Sequence, residues 1–163
     1  QAVTARCTAL REGSESTDYF HIMLHYAFLE VVLQASPFVA GPNVRFQLQG
    51  TKGSYYKQGL DPQEQQLRDG LSLSAPAFGV EPPAHYGYKY WENRETGLME
   101  EVKFPTQVGR YIEYYQQLAL AISVGLPLPV TALSAAKVIR IIELAEQSSD
   151  SGQRVDVDLT AFH

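Results

Sequence analysis

Three sets of residues have types and spacings that could do chemistry. The first is GTKGSYYKQGLDPQEQQ, Gly50 to Gln66, with two glycines, a lysine and neighbouring hydroxyls, a composition that could cradle a phosphate. A P-loop, however, needs G-x-x-x-x-G-K-[ST], with the lysine directly after the second glycine and a helix starting there. Here the order is Gly-Thr-Lys-Gly and β-type residues follow, so no helix N-terminus would face the anion. G-x-G-x-x-G is also absent. The stretch reads as a hairpin turn at 50–53 with Thr51 and Lys52 at its tip, a short strand, and a helix opened by Asp61 as N-cap, Pro62 as first helical residue and Glu64 closing a capping box. The second set is His21 and His25. On a helix, i and i+4 would share a face and could hold a metal. In a strand they stand about 13 Å apart, too far for one ion that needs each nitrogen at about 2.1 Å. The third is Cys7, the single cysteine, which rules out an internal disulfide and a Cys-based zinc site and reads as structural rather than nucleophilic. No Ser-His-Asp or Cys-His set and no G-x-S-x-G is visible.

The elements that must position these residues follow from periodicity. AVTARCTALR and DYFHIMLHYA alternate with a period of two and flank the polar link EGSEST, so they form a hairpin. EVVLQAS, NVRFQLQG, SYYK, YGYKYW and LMEEVKF are further strands, and SLSAPAFGVEPPAH is a proline-rich loop. GRYIEYYQQLALAISVG has helical spacing and stops at Gly125. SAAKVIRIIELAEQSS is an amphipathic helix, with Val138, Ile141, Ile142 and Ala145 assigned to its buried face. RVDVDL is a last strand with Val155, Val157 and Leu159 inward. Strands first and helices later define an α+β class. The expected form is one domain, 1–163, built on an open, mostly antiparallel sheet with helices on one face. Met23 opposite Ile22 and Leu24, and the many tyrosines, make the second face suited to an interface or a sugar-like ligand.

Composition narrows the function. Hydrophobic residues make up 45% and charged residues 19%, the profile of a soluble globular domain. The net charge of −5 and the scattered 13 Lys and Arg argue against nucleic acid. No apolar run has the roughly 18–20 residues a membrane span needs. One cysteine fits a reducing compartment, and the expected location is cytoplasmic. The first residue is Gln, which reads as the start of a processed or excised piece.

The ordered set FQLQGTKGS, GLDPQE, Y..YY..LA.AI..G.P.PV and V...IELA..S resembles the C-terminal domain of the Gfo/Idh/MocA family of NAD(P)-dependent oxidoreductases, most closely its YdgJ/YhhX-like branch. The resemblance implies a fold like the C-terminal domain of glyceraldehyde-3-phosphate dehydrogenase, beside an N-terminal Rossmann domain that is absent from this chain. It implies NAD or NADP in the full-length protein, with no cofactor held by this part. It also implies a sugar, polyol or related hydroxy or keto substrate, and a homo-oligomer formed through the open sheet face. The family's glycine fingerprint, its E-K-P lysine and its D-x-x-x-H segment do not occur here. The resemblance therefore places no catalytic, cofactor or metal residue on this chain. In relatives the turn before the GTKGS strand pair approaches the nicotinamide side, which makes Phe38, and after it Asn43, the substrate-proximal candidates. The alternative is a stand-alone, non-enzymatic dimerisation or small-ligand-binding module.

Overall fold

A computed structural model describes residues 1–162; His163, the terminal histidine, lies outside the described residues. The chain forms two compact units, one made of Gln1–Ala40 with the chain from Val130 onward, the other of Gly41–Pro129. The expected strands divide between two four-stranded antiparallel sheets, one in each unit, rather than lying in a single ladder.

The first unit contains β1 (Ala2–Thr8), β2 (Tyr19–His25), β3 (Glu30–Ala35), the helix α3 (Ala132–Ser151) and the two-residue strand β8 (Val155–Asp156), in the order β3-β2-β1-β8. The register places Val3 opposite Leu24 and Ala5 opposite Ile22. These side chains form one sheet face, and α3 covers it: Val3, Leu144 and Ala145 are the buried centre, with Ile141, Val155 and Val157 around them. Helix α3 opens on a capping box in which Thr131 Oγ1 accepts from the Ser134 N–H and Ser134 Oγ accepts from the Thr131 N–H, both at 3.1 Å.

The buried face of α3 differs from the one read in the sequence. Ile141 and Ala145 face the sheet as expected, but Val138 and Ile142 are exposed, and Leu144 and Ser148 take their place. The cause is hydrogen bonding. β8 pairs only with Ala2 and Val3, so the outward N–H groups of Ala5 and Cys7 have no strand partner. Ser148 Oγ accepts from Ala5 N at 3.0 Å and Ser149 Oγ from Cys7 N at 2.8 Å. These bonds rotate the helix toward its serines, because an unpaired buried N–H costs about 1–3 kcal/mol.

The second unit contains β4 (Phe46–Gly50), β5 (Gly53–Lys57), α1 (Gln63–Arg68), β6 (Gly87–Glu92), β7 (Met99–Phe104) and α2 (Tyr111–Val124). The strands follow chain order as β4-β5-β6-β7. Gly50 pairs with Gly53, so the predicted turn at 51–52 is present. Helix α2 ends at Gly125, whose φ of 73° is the left-handed geometry expected of a C-terminal glycine. The capping box expected at α1 does not form. Asp61 Oδ1 accepts from Gln63 N at 2.8 Å, but Glu64 turns away to pair with Arg68 at 2.6 Å. That i,i+4 geometry puts the carboxylate beside a guanidinium instead of its own N-cap.

Candidate functional site

Sequence reasoning singled out Phe38 and Asn43. Both lie in the exposed segment between β3 and β4, and Phe38 keeps 65% of its surface in solvent. The Phe38 N–H donates to Ser36 Oγ at 3.2 Å, which turns the chain as it leaves β3. Among the described residues no protein group closes over either side chain, so each is available as contact surface and neither is equipped for proton transfer.

Two polar constellations were not visible in the sequence. One sits on the face of the first sheet opposite α3. His25 Nδ1 lies 2.7 Å from Glu30 Oε2, and Nε2 lies 2.9 Å from Thr4 Oγ1. A carboxylate only accepts, so the bond to Glu30 places a proton on Nδ1, while the Thr4 hydroxyl can either donate to Nε2 or accept from it. A hydroxyl–imidazole–carboxylate chain of this kind resembles a nucleophile triad. It lacks the other half of that chemistry: the β1 N–H groups are engaged by the neighbouring strands, Ser148 and Ser149, leaving no paired donors for an oxyanion. The chain of bonds fixes the ring across three strands. Residues 4, 25 and 30 become neighbours only through register, which local spacing does not encode.

The other constellation is buried in the second unit. Lys57 Nζ meets Glu81 Oε1 at 2.5 Å and donates to the His85 carbonyl at 2.9 Å. Glu81 Oε2 is buried without a protein partner. Nearby in the chain, Gln63 is fully buried and acts as a connector: its Nε2 donates to Asp61 Oδ1 at 2.9 Å and its Oε1 accepts from Tyr111 N at 2.9 Å. A Cβ at Gly109 would strike the Asp61 carboxylate and Gln63 Nε2, so glycine is needed for this close approach. The pattern GLDPQE thus holds loops and α2 in place.

These bonds also bear on a nicotinamide dinucleotide. Its pyrophosphate would need free N–H groups at a helix start. The first N–H of α2 is taken by Gln63, and the start of α3 is closed by its own capping box. The turn at 50–53 joins two antiparallel strands. Neither α2 nor α3 therefore presents a fully open first turn to a pyrophosphate. Among the described residues there is no cluster of three or more metal-ligating side chains, and no helix is long and apolar enough to cross a membrane.

Local contacts tune Cys7, Tyr56 and Tyr90. Burial, with Glu146 and Asp150 nearby, pushes the Cys7 thiol up, the opposite of what a thiolate nucleophile needs. On one face of the second sheet, the Tyr56 hydroxyl faces the amides of Gln49 at 3.4 Å and Gln47 at 3.5 Å, which pull its pKa down. Burial and then Glu101 push the neighbouring Tyr90 up. Tyr56 and Tyr90 meet edge to face at 5.8 Å, and Tyr88 lies 6.3 Å from Tyr90. The result is a polar aromatic sheet surface.

The architecture is an α+β fold of antiparallel sheets with helical packing on one face, and comparison with known proteins agrees. The oxidoreductase family C-terminal alpha/beta domain of the Gfo/Idh/MocA type matches residues 1–157, and the chain belongs to that family. It is 39% identical over 149 residues to scyllo-inositol 2-dehydrogenase (NADP(+)) IolW of Bacillus subtilis, covering 91% of this chain and 41% of that protein. It is 33% identical to the oxidoreductase YdgJ of Escherichia coli, covering 91% and 42%. The yvaA structure from Bacillus subtilis superposes with a TM-score of 0.90 at 35% identity, covering 96% of this chain and 45% of that one. A structure from Bacteroides fragilis gives 0.84 at 35% identity, covering 96% and 47%. The chain therefore spans less than half the length of these relatives.

Proposed function

We propose that this chain acts as a single C-terminal domain of an NAD(P)-dependent dehydrogenase or reductase, and that the whole enzyme moves a hydride between the cofactor and a hydroxyl or carbonyl carbon of a sugar, polyol or cyclitol. The observation that carries this reading is the 39% identity to an NADP-dependent scyllo-inositol dehydrogenase across nearly the whole chain. The cofactor belongs to a separate N-terminal Rossmann domain, because in this chain the first N–H of α2 is taken by Gln63 and the start of α3 by its own capping box. This domain supplies the substrate-side wall, with Phe38 and Asn43 as its contact residues. The sheet faces left open by the helices form the contact with further copies of the chain, in a cytoplasmic enzyme.

Two measurements test the reading. Calorimetry of the 163-residue chain with NAD or NADP is expected to show no binding, and the chain alone no turnover. The same chain, produced with the coding sequence that precedes Gln1, is expected to reduce NADP or NAD with scyllo-inositol or a related polyol. Micromolar dinucleotide binding by the 163-residue chain, or an upstream sequence lacking a glycine fingerprint, would overturn it in favour of a stand-alone module.

A further inference from the structure

The turn at 50–53 contributes nothing to the proposed chemistry, yet it helps to form a cavity. The pairing of Ser54 with Tyr90 brings the tip of the β4–β5 hairpin beside the tip of the β6–β7 hairpin. Between them lies a cleft of about 710 Å³ lined by Thr51, Lys52, Trp91, Glu92, Arg94 and Glu95. Gly53 allows this approach. Its φ is +148°, and a Cβ there would strike the Tyr90 carbonyl and lie 3.3 Å from Trp91 Cβ. Asn93 builds the opposite tip: its Nδ2 donates to Glu100 at 2.6 Å, and its Oδ1 accepts from Glu95 N at 2.9 Å and Thr96 N at 3.3 Å.

The lining decides what the cleft can take. Trp91 is half-buried and offers an aromatic wall. Lys52, Glu92, Arg94 and Glu95 are exposed around it, and none takes part in a salt bridge among the described residues. Two cations and two carboxylates cancel, so an anion meets as much repulsion as attraction, each contact worth only about 1 kcal/mol in water. A neutral ring bearing many hydroxyls uses every group. The carboxylates accept its O–H protons, the lysine and arginine donate to its oxygens, and the indole covers its C–H face. We propose that this cleft binds a neutral polyhydroxylated ring of the cyclitol or pyranose class. The proposal needs neither cofactor nor turnover, so it stands or falls separately from the proposed activity.

Trp91 is the only tryptophan in the chain, which makes its emission a reporter inside the site. Titration of the 163-residue chain with myo-inositol and with glucose is expected to give a saturable change for at least one of them. Arg94→Ala and Glu95→Gln, both at an exposed turn, are expected to weaken that binding about tenfold each with an unchanged circular dichroism spectrum. The proposal is overturned if neither ring saturates, or if glycerol produces the same change as the rings. It is equally overturned if inorganic phosphate saturates while the rings do not, or if both variants bind like the parent chain.

Discussion

Replacing Lys57 by Met probes how far the second unit depends on one buried ion pair. The Lys57 and Glu81 side chains keep 7% and 2% of their surface exposed and meet at 2.5 Å. At an effective dielectric constant of about 20 that separation corresponds to roughly 7 kcal/mol of attraction. Desolvation of two charges offsets most of it, so the intact pair contributes little net stability. Removing only the cation is different. Methionine keeps the apolar stem, but Glu81 then has both oxygens unpaired and the His85 carbonyl loses its donor. The expected loss is about 3–5 kcal/mol. The double variant Lys57→Met/Glu81→Leu removes the stranded charge and is expected to recover most of it. Trp91 lies in the same unit, so urea unfolding followed by its emission reads the right region. With a slope of about 1–3 kcal/mol per molar urea, the single variant should unfold about 2 M earlier and the double variant close to the parent. A single variant within about 0.5 M of the parent would mean that water already reaches Glu81, and the account of a dry pair would be wrong.

Other outcomes follow from the same geometry. Leu144→Ala, at the buried centre of the first unit, should cost about 2–5 kcal/mol, whereas Val138→Ala on the exposed side of α3 should stay within about 0.5 kcal/mol; equal losses would restore the face read from the sequence. Gly53→Ala should cost at least about 1–3 kcal/mol, from its positive φ and the collision with Tyr90, measured by the same urea titration. Asp18 is held at about 2 by the Arg11 side chain and then by the Leu10 and Arg11 N–H groups. Its carboxyl is depressed in the folded state, so its contribution is complete above about pH 4 and fades as pH falls toward 2. Melting temperatures of Asp18→Asn should therefore converge with those of the parent across that window; a constant gap would deny the linkage. Native Cys7 should react slowly with a thiol reagent at neutral pH and faster once the chain is unfolded in urea.

Local pattern revealed most of the elements. The period of two in residues 2–8 and 19–25, the paired glycines at 50 and 53, and the glycine after α2 each encode their own geometry within a few residues. What was hidden depends on partners distant in the chain. Hydrophobic periodicity scores Ser148 as polar and cannot foresee that it replaces a missing strand, which is why two of the four residues assigned to the buried face of α3, Val138 and Ile142, lie exposed while Ile141 and Ala145 face the sheet. Lys57 and Glu81 stand 24 residues apart, and Thr4 and His25 stand 21 apart. Division of the strands between two sheets is likewise a matter of which edges meet, not of what each strand contains. Of the residues singled out for chemistry, Cys7 and the 50–53 turn could be judged from sequence, because one needs a cationic neighbour and the other a following helix. The hydroxyl–imidazole–carboxylate chain and the cleft beside Trp91 could not, because register creates both.

The serines that finish β1 also set an order of events. Ala5 and Ser148 are separated by 143 residues, so β1 is completed only by a helix synthesised much later than the strand itself. At about 5–20 residues per second of synthesis, the open N–H groups of Ala5 and Cys7 wait roughly 7–30 seconds for their partners. During that interval β1 is an unguarded edge, able to pair with any other extended chain nearby. A nascent or truncated product ending before residue 148 keeps that edge for its whole lifetime. The last turns of α3 therefore close the free edge of β1, and with it the part of the strand able to pair with another extended chain.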